Sequence, residues 1–446
     1  MTKAITSENI AQYAKDLAAT PAASALQKAV MNNGILKTAE STDSKVAMTP
    51  TFSIDLDTGA VSNQKQSGRC WMFAALNTMR HSIQAQYKIK DFELSQNYTF
   101  FWDKFEKSNY FYENVIATAD QPTDSRKVSF LLTTPQQDGG QWDMLTALID
   151  KYGIVPKSVM PETYSSSKSS ELNATLNLKL RKDAVTLRKL VADGASDDKL
   201  AETKKQFLSE VYRILAYTLG NPPTEFDFEY RDDDKNYHID KGLTPKSFFD
   251  KYINWDLDAY QSLINSPTAD KPYNHVYTVE MLGNVIGGRE VRHLNLAIDD
   301  FKAAAIKQLE AGESVWFGSD VGKESDRQLG IMDPAIYDED SLFNTSFAMT
   351  KGERLDYAQS LMTHAMVLTG VDIVDGKPTK WKVENSWGDK VGTKGYFVAS
   401  DAWFDEYVYQ VVVNKKFLTD EQQAVIKAET DKPTVLAPWD PMGALA

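Results

Sequence analysis

Apolar residues recur every three or four positions in the first part of the chain. Downstream of Cys70 this stripe consists of Met72, Leu76, Met79 and Ile83. Such a period is typical of one face of an amphipathic helix. Because the preceding segment 63–69 is polar and contains a glycine, we expect the helix to begin at Cys70. Two further helices are predicted over 97–107 and 142–151.

The pattern changes twice further along the chain. Between 165 and 220 the composition shifts to Ser, Lys, Leu and Asp, with Phe207, Val211 and Leu215 at helical spacing, which predicts a helical insertion. After Gly287 short apolar runs bounded by turn residues predict β-strands. These runs cover 314–318, 365–374, 380–384, 396–399 and 408–413. The sequence therefore predicts an α+β fold with a sheet in its last third.

Composition and charge narrow the classes of function. The chain of 446 residues is long enough for about three domains, and 42% hydrophobic with 25% charged residues is ordinary for a globular protein. A net charge of −13 opposes binding to phosphate or anionic lipid unless a local basic patch exists. The best basic cluster, Arg181-Lys182 with Arg188-Lys189, lies in the mixed-charge insertion, where a solvated face is the usual role.

Signals for targeting, disulfides and metals are weak throughout. Residues 1–23 are polar, so we expect no secretory leader, and no apolar run approaches the roughly 18 residues of a membrane span. Cys70 is the single cysteine, which excludes an intrachain disulfide and is typical of a cytoplasmic protein. The five histidines show no ligand spacing, so neither a metal nor another cofactor is expected.

Cys70 is the strongest candidate for chemistry. A lone cysteine is more often a small buried hydrophobe than a reactive group. At a helix start, however, free N–H groups and the helix dipole stabilise the thiolate, which is the nucleophilic form. Six residues earlier stands Gln64, whose side-chain amide can join the Cys70 N–H in an oxyanion hole.

A thiol nucleophile needs a base, and His364 is the best of the histidines. His81 lies on the helix that begins at Cys70, ~16 Å away at 1.5 Å per residue, which is too far. Three others lack a partner pattern, and we interpret them as surface imidazoles: His238, His275 and His293. An apolar run that opens at His364 leads through a turn signal into a strand ending near Asn385, which predicts a hairpin. A bulge at Gly370 would adjust its pairing so that Asn385 orients the imidazole.

Several motifs together resemble those of the papain-type cysteine peptidases. They are Gln64-x5-Cys70-Trp71, Thr363-His364-Ala365, Asn385-Ser386-Trp387-Gly388 and Gly395-Tyr396-Phe397. The longer run 63–74 and the terminal run 438–446 are similar, more narrowly, to the bleomycin hydrolase branch and its bacterial aminopeptidases. The resemblance covers both ends of the chain and its length.

This resemblance implies a role for each matching residue. Cys70 would be the nucleophile, His364 the base and then the acid, Asn385 its orienting partner, and Gln64 an oxyanion donor. Trp387 is similar to a family tryptophan that covers the hydrogen bond between the asparagine and the histidine. Peptides would be the substrates.

The resemblance also implies how substrate is held. Asp138-Gly139-Gly140 is similar to the Cys-Gly-Gly of cathepsins without its cysteine, so Gly139 and Gly140 are candidate contacts to the substrate backbone. In the bleomycin hydrolase branch the C-terminal residues fold back into the cleft. The Ala446 carboxylate would then pair with the free α-amine of a substrate, which implies aminopeptidase activity.

The spacing of the motifs predicts the domain organisation. His364 follows Cys70 by 294 positions (364 − 70), against about 130–150 in papain and cathepsins. In the resembling branch such insertions build an oligomer, here expected to be a hexamer. We therefore divide a papain-like α+β chain into four parts. These are an N-terminal arm with a helical catalytic subdomain (1–164), a mainly helical insertion (165–286), a β-rich, antiparallel barrel-like subdomain (287–432) and a tail that docks in the cleft (433–446).

Two other functions remain open at this point. One is an endopeptidase of the same chemistry with a displaced tail, which cleavage of a blocked peptide would reveal. The other is a nucleic-acid-binding ring protein, which the net charge of −13 disfavours.

Overall fold

Helices dominate the first half of the computed structural model, which describes residues 4–90 and 92–445. The α-helices are α1 (Ser7–Ala19), α2 (Ala23–Asn33), α3 (Ile35–Ala39), α4 (Thr42–Ala47), α5 (Cys70–Tyr87), α6 (Gln96–Ala117), α7 (Arg126–Thr133), α8 (Trp142–Tyr152), α9 (Tyr164–Ser167), α10 (Ser170–Ala192), α11 (Asp197–Leu219), α12 (Pro245–Tyr252), α13 (Ile298–Glu310), α14 (Glu339–Phe343), α15 (Lys351–Asp356), α16 (Asp401–Tyr407) and α17 (Asp420–Glu429).

Strands are concentrated in the second half. They are β1 (Ile54–Asp55), β2 (Phe226–Arg231), β3 (Tyr237–Leu243), β4 (Tyr260–Ile264), β5 (His275–Val279), β6 (His293–Asn295), β7 (Val315–Ser319), β8 (Ser325–Asp326), β9 (Ile331–Met332), β10 (His364–Val374), β11 (Lys377–Glu384), β12 (Tyr396–Ser400), β13 (Val408–Asn414) and β14 (Thr434–Leu436). The predicted α+β class is confirmed.

Helix α5 begins at Cys70, where the apolar stripe predicts its start. The stripe is buried, together with most of the first three turns of the helix. Helix α6 extends to Ala117, ten residues beyond the predicted end at 107. It continues because Phe111, Tyr112 and Val115 keep the helical period and pack in a core with α10 and α11.

The insertion is helical where its composition predicts helices. Helices α10 and α11 lie against α6 and against each other. Strands nevertheless begin at Phe226, ahead of the predicted change at Gly287, and β4 and β5 already belong to the large sheet. The two arginines of its basic cluster bind backbone carbonyls: Arg181 donates to Leu132 and Thr133, and Arg188 to Thr118 and Gln121.

Most strands of the second half belong to one twelve-stranded sheet, and β2 pairs only with β3 in the part of the chain that the structure describes. The strand order of the large sheet is β14-β5-β6-β4-β13-β7-β10-β11-β12-β9-β8, with β1 added beside β10. The central strands pair antiparallel, but β4 with β6, β5 with β14 and β9 with β12 pair parallel. The sheet is therefore mixed at its margins, where the sequence predicted antiparallel strands throughout, and its barrel-like closure stays a prediction.

The predicted hairpin is formed by β10 and β11. Val367 pairs with Glu384, and the register shifts between Leu368 and Gly370, where the bulge was predicted. Gly370 is required there because a Cβ atom would lie 2.5 Å from the carbonyl oxygen of Ile54, on the neighbouring β1. The same hairpin packs against α5, which brings the start of the helix to the start of the strand.

The N-terminal helices α1 and α2 bury none of their residues against the rest of the chain. Ile10, Tyr13 and Leu17, which recur at helical spacing, are each more than half exposed. Helices stabilised mainly by tertiary packing normally bury such a stripe. This apolar surface, α1 with α2, is therefore unpartnered within the described residues.

The tail contains regular structure that its composition did not predict. Strand β14 pairs with β5, and Pro441–Gly443 form a 3₁₀ turn whose Met442 is buried. The division of the chain at 164, 286 and 432 stays a prediction.

Candidate active site

Cys70 is the first residue of α5 and is 2% exposed. Its thiol accepts backbone hydrogen bonds from Ala365, Trp71 and its own N–H, and these lower its pKa, but burial is the larger effect and raises the pKa to about 11. The N–H groups at the helix start thus act in the predicted direction, but burial outweighs them. A thiolate requires a nearby group that takes the proton.

His364 opens β10, directly before the Ala365 that contacts the thiol. Its Nε2 atom lies 2.9 Å from Asn385 Oδ1, which also accepts the backbone N–H of Ser386 at 2.8 Å. Because that carboxamide oxygen can only accept, Nε2 carries the proton and Nδ1 remains as the basic nitrogen. Burial lowers the pKa of His364 to about 4, so the resting imidazole is neutral.

The ring of Trp387 shields this pair from water. The centroid of the Trp387 ring is 4.8 Å from that of the His364 ring. The guanidinium carbon of Arg327 lies over the indole, 4.2 Å from its centroid. A hydrogen bond in such a low-dielectric setting is stronger than one in water. The position agrees with the covering role that the motif implies.

Gln64 is held beside Asn385 by both ends of its amide. Its Nε2 donates to the Ser67 carbonyl at 2.7 Å, and its Oε1 accepts from Ser386 Oγ at 2.6 Å. Its backbone N–H donates to the Ser386 carbonyl at 2.8 Å. One Nε2 hydrogen is thereby left for another acceptor, and the side chain is fixed in place.

Gly139 and Gly140 form a wall next to α5. A Cβ atom at Gly140 would lie 2.5 Å from the Trp71 indole, and the Gly139 carbonyl accepts from Lys107 at 2.7 Å. Packing on Trp71 is therefore sufficient to require glycine at 140. Contact with substrate stays a prediction for both residues.

Asp138 ties this wall to the loop before Cys70, a contact that the sequence motifs did not reveal. Its carboxylate accepts the Gly68 N–H at 2.9 Å and pairs with Lys104 at 2.9 Å. Burial raises its pKa, but Lys104 and the hydrogen bonds from Ser169 and Gly68 outweigh burial, so the pKa lies below its usual value. The carboxylate is ionised and holds the loop.

Arg69 is a second residue that the sequence analysis missed. It is fully buried and forms a two-pronged ion pair with Glu162, at 3.1 and 2.7 Å. Its guanidinium also lies 5.1 Å from the Phe73 ring and 5.0 Å from the Phe100 ring. The helix start is therefore anchored from three sides.

The C-terminal segment, residues 439–445, passes beside the loop that contains Gly139 and Gly140. The Ala444 carbonyl accepts from Gln141 Nε2 at 2.5 Å, and Asp440 pairs with Lys271 at 3.0 Å. Trp439 stacks under Arg126, 3.8 Å from the guanidinium carbon to the ring centroid. Gly443, Ala444 and Leu445 also line a cavity of about 620 Å³ together with Gln136 and Gln137. Ala446 lies outside the described residues.

The remaining histidines lie away from Cys70. His238 and His275 are exposed and contact Asp232 and Glu429, as expected of surface imidazoles. His293 is instead fully buried against Ser262, so the surface interpretation is wrong for it. It is buried because β6 lies inside the large sheet between β4 and β5.

Comparison with known proteins decides the family. A family model described as the Peptidase C1-like family matches residues 4–443. The chain belongs to the Peptidase C1-like family. Aminopeptidase C of Lactobacillus delbrueckii subsp. lactis is 59% identical over all of this chain and 99% of that protein, and Aminopeptidase C of Streptococcus thermophilus is 60% identical over 95% and 94%.

A crystal structure of PepW from Lactobacillus rhamnosis HN001 matches with a TM-score of 0.99 and 80% identity, over the full length of both chains. The papain-like fold is thus confirmed for this Peptidase C1-like chain. In the described ranges, no His, Cys, Asp and Glu cluster could hold a metal ion. Nor is any described helix long and apolar enough to cross a membrane.

The pKa values of the pair predict how Cys70 reacts. Without a proton acceptor, a thiol of pKa about 11 is only about 10⁻⁴ ionised at pH 7. In His364→Ala, alkylation of Cys70 by iodoacetamide at pH 7 is therefore expected to fall at least 100-fold and to rise steadily with pH. Equal alkylation rates in variant and parent at pH 7 would show that His364 does not take the proton.

Proposed function

We propose that this Peptidase C1-like protein is a cysteine aminopeptidase that removes N-terminal residues from peptides. The observation that carries the proposal is the packing of α5, which begins at Cys70, against β10, which opens at His364, with His364 Nε2 2.9 Å from Asn385 Oδ1. The named relatives are aminopeptidases by their description. Peptides are therefore the proposed substrates.

In the proposed reaction His364 passes one proton from the Cys70 thiol to the leaving amine and a second proton from water back to the thiolate. His364 Nδ1 takes the Cys70 proton, which leaves the pair with no net charge, and the thiolate attacks the peptide carbonyl. The His364 imidazolium protonates the leaving amine as the C–N bond breaks, giving a thioester. Water then loses a proton to His364 and attacks the thioester, which releases the amino acid and restores the thiol.

An oxyanion hole for this reaction is proposed from Gln64 Nε2 and the Cys70 backbone N–H. Support comes from the fixed amide of Gln64, whose second Nε2 hydrogen is free of the bond to Ser67. Donors fixed before the reaction stabilise the developing negative charge without reorganisation. Asn385 is the proposed orienting partner of His364.

Gln64→Ala is expected to lower kcat by about 10²–10³, the usual effect of deleting one oxyanion donor. Alkylation of Cys70 by iodoacetamide should stay within about threefold of the parent, because the thiol and His364 are unchanged. Steady-state kinetics on an aminoacyl amide gives the first quantity. Parental kcat in the variant would reduce Gln64 to a loop amide.

We propose further that residues 433–446 close one end of the cleft. The contacts of Ala444 with Gln141, Asp440 with Lys271 and Trp439 with Arg126 support a fixed course for this segment. On this proposal the carboxylate of Ala446 forms a charge-assisted hydrogen bond with the α-ammonium group of the substrate. An acetylated N-terminus lacks that charge and is refused.

Deletion of 443–446 is expected to remove both the block and the charge. Release of single residues from a free-amine peptide should then fall at least tenfold, while an N-acetylated twin becomes a substrate. A protein carrying a C-terminal amide at full length is the matched control, since it keeps the block and loses only the charge. If the deletion variant still refuses the acetylated peptide, another element sets the specificity.

We propose a cytoplasmic homohexamer as the working form. Large apolar side chains are exposed on α1 and on the insertion, among them Tyr13, Leu178 and Tyr217. Exposed apolar surface of this extent is typical of a protein interface, and closed symmetry is the common solution for identical chains. The N-terminal arm thus joins the insertion as a proposed contact between copies.

Light scattering of the purified protein is expected to give six times the mass of the 50.0 kDa chain. Tyr13→Glu with Leu17→Glu, on the exposed face of α1, should shift the mass toward smaller species. A paired substitution of exposed polar residues on the same helix, Ser7→Glu with Gln12→Glu, changes the charge by the same amount and serves as the control. A monomeric parent at working concentration would contradict the hexamer.

A further inference from the structure

We propose that Glu384 is a positioning residue that holds the elements of all four catalytic groups in register. The inference rests on the proposed function. Glu384 is buried, with 1% of its surface exposed, and contacts α5 two to three turns beyond Cys70. None of the sequence motifs includes it.

Three side chains of α5 converge on this one carboxylate. Oε1 accepts from Arg80 Nη2 at 2.8 Å and from Asn77 Nδ2 at 3.1 Å, and Oε2 lies 3.0 Å from His81 Nε2. The first turn of the same helix begins with Cys70. Glu384 therefore fixes both the rotation and the axial position of the helix that carries the nucleophile.

The carboxylate is joined to the His364–Asn385 pair through its own backbone. Glu384 is the last residue of β11 and directly precedes Asn385. It pairs with Val367 of β10, three residues after His364. A shift of Glu384 relative to α5 would therefore move Asn385 and β10 relative to Cys70.

The same residues also reach the loop that carries Gln64. Arg80 Nη1 donates to the Ala60 carbonyl at 2.9 Å, and Asn77 Nδ2 donates to Ser62 Oγ at 2.9 Å. The Ser62 carbonyl in turn accepts the N–H of Gly388, close after Asn385. The loop 60–64 is thus held between α5 and the end of β11.

The negative charge of Glu384 explains why the contacts among α5, β11 and loop 60–64 depend on this carboxylate. Burial raises the pKa of Glu384, but His81 and Arg80 outweigh burial and bring the pKa below its usual value, so the group is ionised. Burial also lowers the pKa of His81, so Arg80 is the partner of Glu384 whose charge is permanent. Arg80 therefore has Glu384 as its counter-charge in a buried site, and such a pair cannot lose one partner without rearrangement.

Glu384→Gln is the direct test, because it keeps the shape and the Oε1 acceptor and removes the charge. We expect kcat to fall about 10–100-fold, with KM within about threefold of the parent, at a temperature well below the unfolding midpoint. Asp183→Asn is the matched control. Asp183 is an equally buried carboxylate that contacts Lys179 and Tyr112, in a separate core cluster that contains no candidate catalytic residue, and its loss should lower Tm without changing kcat.

A double-mutant cycle separates positioning from general stability. Because part of the effect of Glu384 passes through Asn385, Glu384→Gln should cost several-fold less in kcat when Asn385 is already alanine than in the parent, whereas the losses in Tm should add. Full additivity in kcat, or a parental kcat in folded Glu384→Gln, would overturn the proposal. Should Glu384→Gln not fold, Glu384→Asp replaces it: the shorter carboxylate keeps the charge, and its kcat must still fall at least threefold.

The proposed function itself is tested separately in the same series. Cys70→Ala should lose all release of N-terminal residues. If it does and Glu384→Gln has the parental kcat, the positioning role alone fails; if Cys70→Ala keeps its activity, the proposed function fails first.

Discussion

The contact between the start of α5 and the start of β10 is the constraint on which the rest of the structure depends. It brings Cys70, the first residue of α5, to the strand that His364 opens. Both groups are buried, and burial favours the neutral form of each by raising the pKa of Cys70 and lowering that of His364. A neutral pair costs little to bury and becomes reactive by moving one proton within itself.

Three ion pairs lie around Cys70 and His364. Arg69 with Glu162, Lys104 with Asp138, and Arg80 with Glu384 each join a segment next to the site to a second element. Burying a charge alone would be costly, whereas a hydrogen-bonded pair is tolerated and fixes geometry. These pairs thus give Cys70 and His364 rigid surroundings.

The sequence predicted those features that depend on local pattern. The start of α5 at Cys70, the β10–β11 hairpin and its bulge beside Gly370 all follow from periodicity and turn residues. The contacts that fix the site do not follow from local pattern, because the ion-pair partners of Glu384, Asp138 and Arg69 are distant in the sequence. Nothing in the spacing of such residues distinguishes a buried ion pair from a solvated one.

The surface position of His293 is a wrong expectation that was argued from a short segment. Its burial by the neighbouring strands of the large sheet decides the outcome. The start of the strands before Gly287 likewise depends on β4 and β5 joining a sheet whose other members come later. Tertiary packing therefore decides what local propensity leaves open.

The most direct test of the central claim is a titration of Cys70 followed by mass spectrometry. Increasing amounts of a thiol alkylating agent are added to the protein, and peptide mapping of the adduct is compared with the remaining release of N-terminal residues from a free-amine peptide. The account predicts one adduct per chain, on Cys70, and loss of activity in direct proportion to it. Full activity in protein that is completely alkylated at Cys70 would contradict the account.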